Sequence, residues 1–128
     1  MLRSIAQGGA PQYKEMIPMA LFAQLDITEA DRSERRIAVN DTATIGRDND
    51  NDIVLRSITV SRCHAMLLRD ADQLLLLDLE STNGTLVNGA AARPDAPIRL
   101  ADGDSIQFGQ VVARYHALNL PPVYGDIE

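Results

Sequence analysis

From residue 21 onward the apolar side chains recur at every second position rather than at the three-to-four spacing of a helix face. Leu21, Ala23, Leu25 and Ile27 alternate with Phe22, Gln24, Asp26 and Thr28. That period of two predicts a half-buried strand with the first set turned inward. Further short runs follow, among them Ile37-Ala38-Val39, Ile53-Val54-Leu55, Ala65-Met66-Leu67-Leu68, Ile106-Gln107-Phe108 and Val111 to Tyr115, each bounded by Asp, Asn or Gly. The one continuous apolar block, Leu74-Leu75-Leu76-Leu77, is closed by Asp78 and is too short for a helix, so it reads as a central strand.

Turn residues punctuate these runs. Asn83-Gly84 and Asn88-Gly89 frame Thr85-Leu86-Val87, which predicts a very short strand between two turns, and Asp102-Gly103 predicts a further hairpin. About ten short strands at such close spacing imply a β-sandwich or barrel. The prolines fall at 11, 18, 94, 97, 121 and 122. Residues 1–19 and 119–128 therefore read as flexible tails on either side of one domain over 20–118.

Composition narrows the chemistry. The 128 residues suit a single domain, and 34 of them are Leu, Ile, Val or Phe, enough to build a core. With no run of about 18 apolar residues and no long apolar opening stretch, neither a membrane span nor a secretory leader is expected, and a cytoplasmic location is. The single Cys63 and two histidines distant in sequence make no metal-ligand spacing, so neither a metal nor another cofactor is expected. A formal charge of −6 excludes general nucleic-acid binding, which needs a positive field. Eleven of the twelve basic residues are arginines, the exception being Lys14, so an anion caught locally would meet guanidinium groups.

Three connections hold more polar residues than a turn requires: Gly46-Arg47-Asp48-Asn49-Asp50-Asn51-Asp52, Thr59-Val60-Ser61-Arg62-Cys63-His64 and Ser81-Thr82-Asn83-Gly84-Thr85. In a sandwich, loops far apart in sequence can meet at one end. Gly46-Arg47, then Ser61-x-x-His64 about fourteen residues on, then Thr82-Asn83-Gly84-Thr85 and a second Asn-Gly at 88–89, resemble the forkhead-associated (FHA) domain signature in order and spacing. The resemblance covers roughly residues 20–118.

What the resemblance implies is an all-β, eleven-stranded sandwich whose loops at one end bind phosphothreonine peptides. Arg47 and Ser61 would contact the phosphate, Arg62 would contribute through its main chain or side chain, and Thr82 would approach the phosphate or the threonine. Asn83 would hydrogen-bond the peptide main chain. His64 would brace the loops, while Gly46 and Gly84 are backbone requirements and Asn88-Gly89 is a turn.

The chemistry of these residue types agrees, because a phosphate with about −1.5 to −2 charges and three acceptor oxygens needs a cation and several fixed donors. The partner expected is a threonine-phosphorylated protein or a Ser/Thr kinase, and the role that of a signalling adaptor. An FHA-like assembly domain that no longer reads phosphate is the alternative. Its mark would be erosion of the arginine, serine or asparagine, and all three are present here.

An enzyme is not expected, since nothing in the spacing supplies a base and an oxyanion site around Ser61, Cys63 or His116. In an extended segment Cys63 and His64 point to opposite sides, which separates thiol from imidazole. Cys63 also departs from the basic residue often found before the family histidine, removing one local positive charge. The acidic run Asp48 to Asp52 lacks the glycine and glutamate of a calcium loop, holding Ile53 and Thr59 at those positions, and reads as a turn that orients Arg47.

Overall fold

The computed structural model describes residues 22–118. The tails expected over 1–19 and 119–128, and residues 20–21 of the expected domain, lie outside the described residues. All eleven elements are strands: β1 (Ala23–Thr28), β2 (Glu34–Val39), β3 (Ala43–Gly46), β4 (Ile53–Val54), β5 (Ala65–Asp70), β6 (Gln73–Asp78), β7 (Thr85–Val87), β8 (Ala90–Ala91), β9 (Ile98–Arg99), β10 (Ser105–Phe108) and β11 (Val111–Ala117). They form two sheets in the orders β2-β1-β11-β10-β7-β8 and β4-β3-β5-β6-β9. The eleven-stranded all-β sandwich implied by the resemblance is the architecture observed.

The period of two becomes the packing. Ala23, Leu25 and Ile27 of β1 and Val111, Ala113 and Tyr115 of β11 turn inward, and from the other sheet Ile45, Ala65, Leu67, Leu74 and Leu76 meet them. Burying each large aliphatic side chain contributes about 1.5–3 kcal/mol, so this shared layer rather than any one strand holds the sheets together. The Leu74–Leu77 block is indeed a strand with a neighbour on either side: Leu74 and Leu76 are wholly buried, while Leu75 and Leu77 lie half-buried opposite Leu68 and Met66. Asn88 and Gly89, both at positive φ, turn β7 into β8.

Two expectations are corrected. Phe22, in the set that alternates with the inward one, does not face solvent; it is 1% exposed, sits before the first residue of β1, and is capped by the Arg69 guanidinium 4.0 Å from its ring centre. A cation over an aromatic face lets the ring close that corner of the core. Asp102-Gly103 is not a hairpin turn either. It joins β9 to β10, which belong to different sheets, and Gly103 donates its N–H to Tyr115 O at 2.7 Å. An Asp-Gly pair supplies the turn geometry wherever the chain reverses, and nothing local says whether the flanking strands will pair.

Candidate functional site

The parallel pairing of β3 with β4 and the antiparallel pairing of β3 with β5 bring the segments that follow β3 and precede β5 together. Gly46, the last residue of β3, is buried, and a Cβ there would lie against the carbonyl of Arg62. The two loops thus touch backbone to backbone. Arg47 donates its N–H to Ser61 O at 2.9 Å, His64 donates to Ile45 O at 2.9 Å, and Leu55 donates to Gly46 O at 2.9 Å. Asn51 fastens them further, its Nδ2 donating to Arg62 O at 2.7 Å and to Asp48 O at 2.9 Å. Asp52 closes the acidic run by accepting from the Thr44 N–H at 2.9 Å. The run is a pinned turn.

Arg47 leaves this junction with its side chain directed. Its Nε donates to Val60 O at 2.9 Å, which fixes the plane of the guanidinium, and its two Nη atoms have no partner among the described residues. Arg62 is exposed, and its N–H is likewise unused within the described residues, since only its carbonyl is engaged.

His64 joins the second loop to the third. Its ring is 0% exposed and packs edge-on against Phe108, with centroids 5.9 Å apart at 83°. The Ser61 N–H can only donate, so Nδ1, 3.0 Å away, is the acceptor; Nε2 therefore carries the hydrogen and donates to Gly84 O at 2.9 Å. Both ring nitrogens are consumed, and Cys63 beside it is exposed on the other side, so the thiol and imidazole do not meet.

The third loop is held from below by Asp78. This carboxylate, 6% exposed, accepts from Ser81 Oγ at 2.5 Å, Ser81 N at 3.0 Å and Thr85 Oγ1 at 2.7 Å. Burial alone pushes its carboxyl up, but the hydrogen bonds from Ser81 and Thr85 outweigh it and hold it below the ordinary carboxylate value. Ser81 Oγ also accepts from Gly84 N at 3.0 Å, and Gly84 takes φ +85, a conformation costly for any residue with a Cβ.

Thr82 donates its N–H to Ser61 Oγ at 2.9 Å, and Asn83 donates from Nδ2 to Thr59 O at 2.8 Å. The Ser61 hydroxyl hydrogen, the Thr82 hydroxyl, the Asn83 Oδ1 and the second hydrogen of its amide have no partner among the described residues.

Arg47, Ser61, Arg62, Thr82 and Asn83 are thus brought to one end of the sandwich, with Gly46, His64 and Gly84 beneath them. Sequence reasoning missed four contributors. Asn51 and Asp78 act from loop and strand positions that look like ordinary turn and strand-end polar residues. Thr59, which holds Asn83, belongs to no recurring spacing. Arg56 lines one open depression with Arg47, Arg62, Asp48 and Asn49, and its Nη2 donates to Asn49 Oδ1 at 3.1 Å. Its place beside Arg47 depends on the β3–β4 pairing, which no local pattern announced. Ile58, 93% exposed, stands next to Thr59.

Comparisons with known proteins agree on one family. The FHA domain family model matches residues 43–109. The oxoglutarate dehydrogenase inhibitor of Corynebacterium jeikeium is 43% identical over 70 residues, 55% of this chain and 46% of its own. The glycogen accumulation regulator GarA of Mycolicibacterium smegmatis is 39% identical over 69 residues, 54% of this chain and 42% of its own. The chain spans less than half the length of these relatives. Among solved structures, the FhaA FHA domain complexed with the intracellular domain of Rv3910 superposes with a TM-score of 0.65 at 35% identity, over 73% of this chain and 99% of that one. A domain solved for phosphothreonine-dependent FHA domain interactions gives a TM-score of 0.65 at 34% identity, over 76% and 99% of the two chains. Among the described residues no helix is long and apolar enough to cross a membrane.

Proposed function

The chain belongs to the FHA domain family, and from that premise we propose that its loop end binds a phosphothreonine segment of another protein, making it a phospho-dependent adaptor in Ser/Thr kinase signalling. The observation that carries the reading is a division of labour among the polar atoms. Groups facing into the loops are hydrogen-bonded to one another, whereas the Arg47 Nη atoms, the Ser61 hydroxyl, the Arg62 N–H, the Thr82 hydroxyl and the outer part of the Asn83 amide remain unpartnered among the described residues.

In the proposed complex the Arg47 guanidinium grips two phosphate oxygens with parallel N–H bonds, and Ser61 O–H and the Arg62 N–H take the remaining lone pairs. Hydrogen bonds of this charge-assisted kind contribute about 1.5–3 kcal/mol each. Thr82 completes the cradle. Asn83, with one hydrogen already committed to Thr59, uses Oδ1 and its other hydrogen to read a peptide unit, which presents one donor and one acceptor. Ile58 offers the peptide an apolar contact beside it. Because the loops are tied before the ligand arrives, little ordering is required on binding.

The protein acts by binding rather than catalysis in this reading, and it meets a threonine-phosphorylated protein or kinase in the cytoplasm. Titration calorimetry with degenerate phosphothreonine, phosphoserine and unphosphorylated peptide pools tests it. Binding near 1 μM, about −8 kcal/mol, to the phosphothreonine pool alone, and its loss in Arg47→Ala, is the expected result. A folded protein that ignores the phosphothreonine pool overturns the proposal.

A further inference from the structure

We infer that the outer face of the five-stranded sheet docks a second copy of this chain, giving a two-fold dimer whose two loop ends point the same way. The dimer stands apart from the phosphopeptide reading; its consequence for binding rests on that reading.

An antiparallel sheet with one face in water turns polar residues outward. The six-stranded sheet does so, carrying Gln24, Asp26, Thr28, Gln107, Arg114 and His116 on its outer side. The five-stranded sheet does not. Alternation along β5 and β6 sets Met66 opposite Leu77 and Leu68 opposite Leu75 on the outer side, while Leu67, Leu74 and Leu76 fill the core. These four side chains are half-buried in the single chain, and Leu79, 36% exposed, follows them. An unbroken apolar run is the pattern of a strand covered on both sides, yet the described residues form two sheets and no third layer.

Charge at the edges of this face selects the occupant. Arg99 on β9 stands opposite Leu75 and so faces outward, and among the described residues no carboxylate oxygen lies within 4.0 Å of it. Asp52, on the parity of Val54 and opposite to that of buried Ile53, accepts the Thr44 N–H through Oδ2 at 2.9 Å; its Oδ1 has no partner among the described residues. With β9 and β4 at opposite edges, the face is positive on one side, negative on the other and apolar between, which makes it complementary to itself.

A two-fold axis parallel to the strands, over the seam between β5 and β6, lays Met66 on the partner's Leu77 and Leu68 on the partner's Leu75. It also brings Arg99 over the partner's β3–β4 edge, where Asp52 lies. Sheets packed face to face in this aligned way sit about 10 Å apart. The other in-plane axis, perpendicular to the strands, stacks β9 on β9 and β4 on β4, and the like charges so juxtaposed exclude it. Four strand spacings of about 4.8 Å and six residues of about 3.3 Å make a face of about 400 Å² in projection, roughly half the standard area per partner, so the dimer is weak and reversible. Because the axis follows the strands, Arg47, Ser61 and Asn83 of both copies lie at one end. Two phosphothreonines on one flexible partner can then be held at once, the second binding step being intramolecular.

The test is sedimentation velocity of the whole chain over about 5–500 μM at about 0.15 M salt, with circular dichroism confirming that each variant is folded. The parent should pass from monomer to dimer across that range. Leu68→Glu should stay monomeric, and Val112→Glu, the same kind of change at a 43% exposed position on the other sheet, should dimerise like the parent. Arg99→Asp and Asp52→Arg, both at exposed positions that spare the core, should each weaken self-association by about tenfold, while an equimolar mixture of the two restores it because each chain finds its opposite. A parent that is monomeric throughout overturns the dimer, as does a dimer that survives Leu68→Glu and both charge reversals; a mixture that associates no better than its components overturns the axis. At dimeric concentrations, peptides bearing two phosphothreonines across Gly/Ser linkers of about 10–40 residues, spanning about 17–35 Å, should bind the parent at least about tenfold more tightly than single ones, and Leu68→Glu should show no such gain. Single phosphothreonines bound with no gain from any linker overturn the same-end placement, whereas a dimer that ignores every phosphothreonine peptide overturns the proposed function and leaves the docking face standing.

Discussion

Replacing His64 by leucine removes the fully buried side chain that bonds the second loop to the third while keeping an apolar group of comparable bulk in the core. Two partners lose their hydrogen bonds, Ser61 N–H at 3.0 Å and Gly84 O at 2.9 Å. Ser61 N–H is left unpaired at intermediate depth, which costs about 1–3 kcal/mol, whereas Gly84 O keeps the Gly109 N–H at 3.2 Å and loses one net bond of about 0.5–1.5 kcal/mol, which puts the pair at about 2–4 kcal/mol. The edge-on contact with Phe108 adds about 0.5–1.5 kcal/mol, partly recovered by the leucine. A net loss of about 3 kcal/mol is a large share of the roughly 5–15 kcal/mol that stabilises a domain, yet leaves a folded protein to measure.

Urea unfolding followed by far-ultraviolet circular dichroism suits a chain without tryptophan. With a urea slope of about 1–3 kcal/mol per molar, the midpoint should fall by roughly 1–3 M with the slope unchanged. The Ser61 amide should lose protection from hydrogen exchange, and phosphopeptide affinity should fall with it. Arg47→Ala is the matched contrast: an exposed side chain whose loss should abolish binding while shifting stability by no more than about 0.5 kcal/mol. A His64→Leu protein with the parent midpoint and a protected Ser61 amide would refute the bracing role.

Asp78→Asn leaves Ser81 and Thr85 without their ionic acceptor and should destabilise the chain by about 1–3 kcal/mol at neutral pH. Because the native carboxyl is held below its ordinary value, the unfolded chain takes up the proton first. Asp78's contribution is therefore complete above the ordinary carboxylate value and lost as pH falls through the native one, so the gap between parent and variant should narrow as the pH is lowered below the ordinary carboxylate value. A gap that stays constant in acid urea titrations would count against it. Gly46→Ala, whose methyl meets the Arg62 carbonyl, should lower both stability and phosphopeptide binding, whereas Gly84→Ala has open space and should cost only about 1 kcal/mol in backbone strain; equal thermal-melt losses would contradict the close approach at Gly46. Asn83→Ala should weaken phosphopeptide binding by about tenfold, the equivalent of 1.4 kcal/mol, with little change in unfolding midpoint, and calorimetry showing full affinity would exclude its peptide contact.

What the sequence made legible is what repeats at short range. Alternation along Ala23 to Ile27 and the Leu74–Leu77 block located strands, because period-two burial is a property of each strand alone. The Gly46-Arg47, Ser61-x-x-His64 and Asn83-Gly84 elements were legible as a set in fixed order. Contacts made by pairing were not. Arg69 over Phe22 spans 47 positions in the sequence, and Arg56 shares a depression with Arg47 only because a two-residue parallel pairing aligns their strands. Asp78 closed an apolar block in the sequence, where a carboxylate signals a strand end, yet its inward register buries it. It is tolerated there because Ser81 and Thr85 arrive from the next loop and strand to donate to it.

The same division explains why the proposed binding residues can be exposed and still be positioned. An exposed arginine or serine loses much of its side-chain freedom on binding, which for Arg amounts to about 2 kcal/mol. Here part of that freedom is already gone: Nε of Arg47 is spent on Val60 O, Oγ of Ser61 on Thr82 N–H and Nδ2 of Asn83 on Thr59 O. Each tether uses an atom that faces another loop and leaves a donor facing outward. The groups tied lie on three different loops and bond to one another, so a change that shifts a loop's backbone displaces all of them. Substitutions at Asn51, Thr59 or Asp78, none of them proposed to touch the ligand, should therefore weaken binding in concert with loop stability.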